Sequence, residues 1–180
     1  MSGAERGMLD RAADLRRHFD ESFAEPPLSE RPAHVDLLAI RIASEPFALR
    51  LGEVGGLLSG RKVVPLPTTR PDFMGVIGHR GLIIPVYGLR AILGYPRGED
   101  ARWMVLTGGA EQVGLAFDLY EGFLRLPAAQ VAPPGRPEAM PPHVRDIARL
   151  DDSTRPVLDL RSILDAVKKR IGPHARSEER

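Results

Sequence analysis

The residues best suited to proton transfer or metal ligation are five histidines, His18, His34, His79, His143 and His174, and they are scattered. None has a second histidine three to five residues further on, the spacing that places two ligands on one helical face. His79 adjoins Arg80 in a glycine-flanked segment, where it reads as a solvated turn residue. A phosphoacceptor histidine needs a helical setting, which this segment does not offer. Ser44, Ser59, Ser153 and Ser162 stand in no nucleophile-elbow sequence. Asp151-Asp152 and Asp159 are read as a β-turn pair and a helix cap rather than a cation site. There is no phosphate loop and no dinucleotide fingerprint. Cysteine is absent, which removes disulfides, thiolate zinc sites, iron–sulfur ligation and cysteine nucleophiles together. The expectation is a protein with no catalytic residues, no metal and no cofactor.

Bulk properties narrow the choice further. The 180 residues carry 25 basic and 24 acidic side chains, a net charge of +1. Such a balance gives no electrostatic basis for a nucleic acid or an anionic membrane as main partner. Charged residues such as Glu5, Arg6, Asp10 and Arg11 break any secretory apolar core near the start. No run is apolar enough to span a bilayer, so the chain is expected to be soluble and cytoplasmic, with no direct membrane insertion. With chemistry unsupported, binding becomes the leading class of function.

Partner-binding residues need elements to hold them. Met8, Ala12, Leu15, Phe19 and Phe23 form one stripe of an α-helix that Pro26-Pro27 ends. Residues 1–34 thus read as an amphipathic helix and a proline-containing linker. The helix stripe has two uses open to it: packing on its own domain, or docking on a partner protein. From Val35 the apolar period becomes two. Leu38, Ile40 and Ile42, then Phe47, Leu49 and Leu51, predict two strands around Ser44-Glu45-Pro46. Further strands are predicted at 62–65, 75–77, 82–87, 103–107, 112–117, 122–126, 147–150 and 156–160. The proline-rich stretch from Pro127 to Pro142 predicts an extended surface connection. Leu160, Ile163, Leu164, Val167 and Ile171 line one face of a closing helix, with Lys168-Lys169-Arg170 near its C-terminus and Gly172-Pro173 after it.

The chain also repeats itself. Leu37–Leu58 aligns without a gap on Trp103–Leu124, and Gly75–Leu93 on Asp146–Leu164, where PVYGLRAIL answers PVLDLRSIL. Two related β units of about 60 residues are inferred, each marginal alone, so that mutual packing should supply much of the stability. Between the paired strands the first unit has Arg80-Gly81 and the second Asp151-Asp152. Arg80 is therefore a candidate partner contact, and equally an arginine fixed by a nearby carboxylate.

Gly75-Val76-Ile77-Gly78-His79-Arg80-Gly81-Leu82-Ile83-Ile84-Pro85-Val86-Tyr87-Gly88-Leu89-Arg90 resembles the signature GVxNLRGxIIPVxDLR of CheW-like chemotaxis coupling proteins. The likeness extends over about residues 35–170. It implies a mostly β fold of two SH3-like, five-stranded β-barrel subdomains with an N-terminal and a C-terminal helix. On this reading the organisation is a helix and linker over 1–34, two duplicated β subdomains over 35–172, and a polar tail over 173–180. The resemblance also implies a scaffold that couples the cytoplasmic tip of chemoreceptors to the regulatory barrel domain of a CheA-type histidine kinase, with related adaptors as further partners. Its place would be the cytoplasm, at receptor arrays. Carried over by position, the partner-binding residues are Arg80, Val54, Gly75 and Ile83. The chain departs from the family pattern at Gly56, Gly78, His79 and Gly88, where a glutamate, an asparagine, a leucine and an aspartate are usual. The three glycines among them, Gly56, Gly78 and Gly88, motivate a narrower alternative, a divergent adaptor that binds only receptors or another partner and does not couple the kinase.

Overall fold

A computed structural model describes residues 33–96, 98, 101–109, 112–136 and 140–170. The helix expected within residues 1–34 and the tail from 173 lie outside the described residues. His34, assigned above to the linker, opens the first strand.

Eleven strands are described: β1 (His34–Ile42), β2 (Glu45–Arg50), β3 (Val54–Ser59), β4 (Phe73–His79), β5 (Leu82–Gly88), β6 (Trp103–Thr107), β7 (Gly114–Phe117), β8 (Leu119–Pro127), β9 (Val131–Ala132), β10 (Val144–Arg149) and β11 (Thr154–Leu158). The helix α1 (Leu89–Ile92) follows β5, and α2 (Leu160–Arg170) follows β11. Asp159 sets the start of α2, its Oδ1 accepting the amides of Arg161 at 3.0 Å and Ser162 at 3.2 Å. Gly88 occupies the same place before α1 and makes no side-chain cap. That helix lasts one turn and gives way at Gly94, whose φ is +82°.

The strands form a six-stranded sheet, β8-β1-β2-β11-β10-β9, and a five-stranded sheet, β3-β6-β7-β5-β4. Neither sheet closes, so the expected pair of SH3-like five-stranded barrels is corrected to two open sheets. Closure would require the edge strands to pair, and the sequence prevents it. Strand β9 is two residues long and runs into Pro133-Pro134, which have no amide hydrogen to donate. Outside β4 the predicted strand at 62–65 shrinks to a single bridge, Val64 with Val76, before Pro65 and Pro67.

The sheets do not correspond to the halves of the sequence. Strands β1 and β2 join β8, β10 and β11, whereas β6 and β7 join β3, β4 and β5. The register repeats as well. Val157 pairs with Ala48 and Leu158 with Leu49, as Val86 pairs with Gly114 and Tyr87 with Leu115. The hairpin β4–β5 skips one residue between Phe73 and Gly75, and β10–β11 skips one between Val144 and Asp146. Leu38 pairs with Leu49 as Val105, not Met104, pairs with Leu115. The structural correspondence therefore differs by one residue from the ungapped alignment in the first strand, and the turn absorbs the difference.

The largest core cluster lies between the layers. Leu38, Ile40, Phe47 and Leu49 of one sheet meet Tyr87, Val105, Leu115 and Phe117 of the other, with Leu160, Ile163 and Val167 of α2. Each such side chain contributes roughly 1.5–3 kcal/mol by burial.

Candidate partner-binding groove

The hairpin β4–β5 presents most of the residues singled out by sequence. Its turn is His79-Arg80-Gly81-Leu82, and both central residues have positive φ, 49° at Arg80 and 79° at Gly81. These values are those of a type I′ turn, whose twist matches that of the strands it joins. Asparagine and glycine adopt this conformation easily, whereas arginine does so at some cost. Arg80 is exposed and forms no ion pair with any described carboxylate.

Beyond the turn, Ile84 and Val86 point into the core while Ile83 lies on the other face. Pro85 stands opposite Val76, whose amide and carbonyl are already used outward with Val64 at 2.9 and 2.8 Å. Its missing amide hydrogen therefore costs no bond to β4. Ile83 is 79% exposed and Leu82 58%. The residue opposite Ile83 is Gly78, where an added Cβ would meet nothing within 4 Å. Backbone geometry does not demand that glycine, and its effect is to leave Ile83 without a cross-strand side chain.

Leu82, Ile83 and Tyr87 form one wall of a groove of about 630 Å³, and Leu164, Val167 and Lys168 of α2 form the other. An apolar trough of this kind takes up apolar side chains, with charged groups at its rim.

Gly75 and Val54 are placed otherwise. Gly75 is buried, with φ +135°, and a Cβ there would lie 2.1 Å from the carbonyl oxygen of Val64. It permits the close approach of two backbones and offers a partner no side chain. Val54 begins β3, half-buried against the core, with β6 and β7 between it and β5. The structure thus groups Arg80 and Ile83 with Gly75 on one hairpin and separates Val54.

Elsewhere among the described residues the polar side chains form ion pairs and fastenings. Asp146 receives Arg50 at 2.6 Å and Arg145 at 3.3 Å, and Arg145 also reaches Glu53 at 3.1 Å. These charges are matched among themselves. His143 Nδ1 lies 2.8 Å from Ser162 Oγ, and its carbonyl accepts the Asp159 amide at 2.8 Å. Burial, aided by the positive charge of Arg170, lowers the His143 pKa against the pull of Asp159. This histidine ties the start of α2 to β10. Among the described residues no group of three or more His, Asp or Glu side chains could hold a metal ion.

Sequence reasoning missed Leu82, Leu164 and Val167 as groove walls. A signal for the first was present, because three consecutive apolar residues, Leu82-Ile83-Ile84, cannot all face one side of a strand. A second exposed patch was also missed. Phe123 is 61% exposed on β8, where the bulge at Glu121 puts it on the same face as Tyr120. The rings of Tyr120 and Phe123 lie 5.7 Å apart, and those of Trp103 and Tyr120 5.2 Å.

Comparison with known proteins gives a consistent result. Residues 36–168 match the family model described as the CheW-like domain. Protein FrzA of Myxococcus xanthus is 38% identical over 93 residues, covering 48% of this chain and 58% of that protein. The chain therefore matches rather more than half the length of that relative. The crystal structure of scaffolding protein TtCheW from Thermoanaerobacter tengcongensis superposes with a TM-score of 0.63 over 71% of this chain and 90% of the other, at 20% identity. That likeness is one of fold.

Proposed function

The chain belongs to the CheW-like domain family, and from that premise we propose that it couples chemoreceptors to a CheA-type histidine kinase. It is a non-enzymatic scaffold or adaptor of chemotaxis signalling, in which assembly rather than bond-making carries the signal. The observation that supports the kinase contact is the pairing of exposed Ile83 and Leu82 with an apolar groove beside a cationic turn. A hydrophobic centre with polar anchors at its edge is the anatomy of a specific interface. Arg80 and Ile83 serve this contact, Gly75 supports the hairpin that carries them, and Val54 belongs to a separate receptor contact on the far side of the sheet. The working module is residues 35–172, and its place is the cytoplasm at receptor arrays.

Two purified partners test the reading: the regulatory domain of a CheA-type kinase and a chemoreceptor cytoplasmic tip. Both bind, with affinities in the micromolar range, on the order of −8 kcal/mol. Binding to neither by folded protein removes the coupling function. Binding to the receptor tip alone establishes the narrower adaptor. That second reading draws on Gly56 and Gly78, where space exists for a side chain and none is present.

A further inference from the structure

We propose that Asp72 is a positioning residue that fixes the width of the groove by tying both of its walls to one carboxylate. The proposal rests on the reading of that groove as a partner surface. Asp72 lies just before β4 and is only 2% exposed. Its carboxylate accepts two bonds from Arg70, at 3.2 and 2.8 Å, and stands 3.5 Å from Arg170 Nη1. Arg70 reaches the first wall, its guanidinium carbon lying 5.2 Å from the centroid of the Tyr87 ring. Arg170 belongs to the last turn of α2, one turn beyond Val167 and next to the groove-lining Lys168 on the second wall.

The fold itself does not require this carboxylate. The Asp72 carbonyl accepts the Gly88 amide at 2.9 Å, which anchors the end of β5. His143 holds Asp159 in the same way at 2.8 Å in the other half of the molecule, without an acidic side chain. What Asp72 adds is the reach to α2. A buried carboxylate is costly unless paired, and Arg70 makes that pairing. Burial alone would raise the Asp72 pKa, but the Arg70 bonds and charge outweigh it and hold the carboxyl below its usual range. The contact with Arg170 is longer and its side chain half exposed, which makes it the part of the tie that solvent and salt can loosen.

Hydrogen exchange and binding to a CheA-type regulatory domain are measured together for Arg170→Gln, Arg170→Lys and Asp72→Asn. In Arg170→Gln the amides of the last turn of α2 exchange about tenfold faster, with the melting temperature unchanged. Affinity for the kinase domain falls about threefold to tenfold, and Arg170→Lys restores both. Asp72→Asn shows the same local loosening, accompanied by a lower melting temperature because the change is buried. Unchanged exchange in Arg170→Gln overturns the proposal. Faster exchange with unchanged affinity overturns it as well, since groove width would then not matter to the partner. If the wild-type protein binds no kinase domain, it is the coupling function that fails, and the exchange arm alone decides whether Asp72 positions α2.

Discussion

Arg80, Ile83 and Gly75 lie on one hairpin yet answer to different forces. Arg80 holds a left-handed conformation that L side chains adopt at a cost. Arg80→Asn therefore raises stability by about 0.5–1 kcal/mol in denaturant titration, since asparagine tolerates this region, while weakening the proposed kinase contact. A variant losing both stability and affinity would show that the arginine supports the turn instead. Ile83→Ser leaves the melting temperature within error, because the side chain is already in water, and lowers kinase-domain affinity about tenfold. Gly75→Ala acts in the opposite sense. Its methyl group would collide with the Val64 carbonyl, and a loss of about 3 kcal/mol or outright misfolding is expected by circular dichroism. One family signature thus mixes a side chain that meets solvent with a glycine that only the backbone needs.

Strands and helices show how far sequence pattern reaches. The period-two runs from Leu38 and from Phe47 become β1 and β2, and the closing helix lies where its apolar stripe placed it. Strand β3 escaped notice because Val54-Gly55-Gly56-Leu57-Leu58 lacks alternation, and β9 because prolines surround its two residues. Closure of the sheets was only partly legible: the prolines at the edges stand in the sequence, but which strands become edges depends on the whole fold and not on the pattern within any strand. The groove was half legible: Arg80 and Ile83 stand in a recognisable motif, whereas Leu164 and Val167 looked like ordinary helix core. Helix α2 invites its own tests. Asp159→Ala removes the cap and costs about 1 kcal/mol in thermal unfolding. At the same helix end, burial and the charge of Arg170 lower the His143 pKa in the folded protein below the unfolded value of about 6.5. Stability is then complete above that pH and falls as pH drops through and below it, toward the folded pKa. His143→Gln flattens this decline. The loss linked to Asp72 and Glu121, whose pKa values are lowered against burial by their arginine partners, begins only nearer pH 4.

At the scale of the molecule, the exchange of strands governs cooperativity. Each sheet draws strands from both halves of the sequence and the two share one core cluster, so they are expected to melt together. Unfolding followed by Trp103 fluorescence, a probe in the five-stranded sheet, should coincide with unfolding followed by far-ultraviolet circular dichroism. Two separated transitions would contradict this. The same exchange bears on the newly made chain. Strand β2 is synthesised early, but its parallel neighbour β11 ends only at Leu158, and β1 waits for β8. Until those segments leave the ribosome, the first two hairpins carry open edges and unburied apolar faces. Long-range pairing of this kind also slows folding. A prematurely ended chain would leave no half-built domain carrying an exposed groove; it would remain unfolded and open to proteolysis.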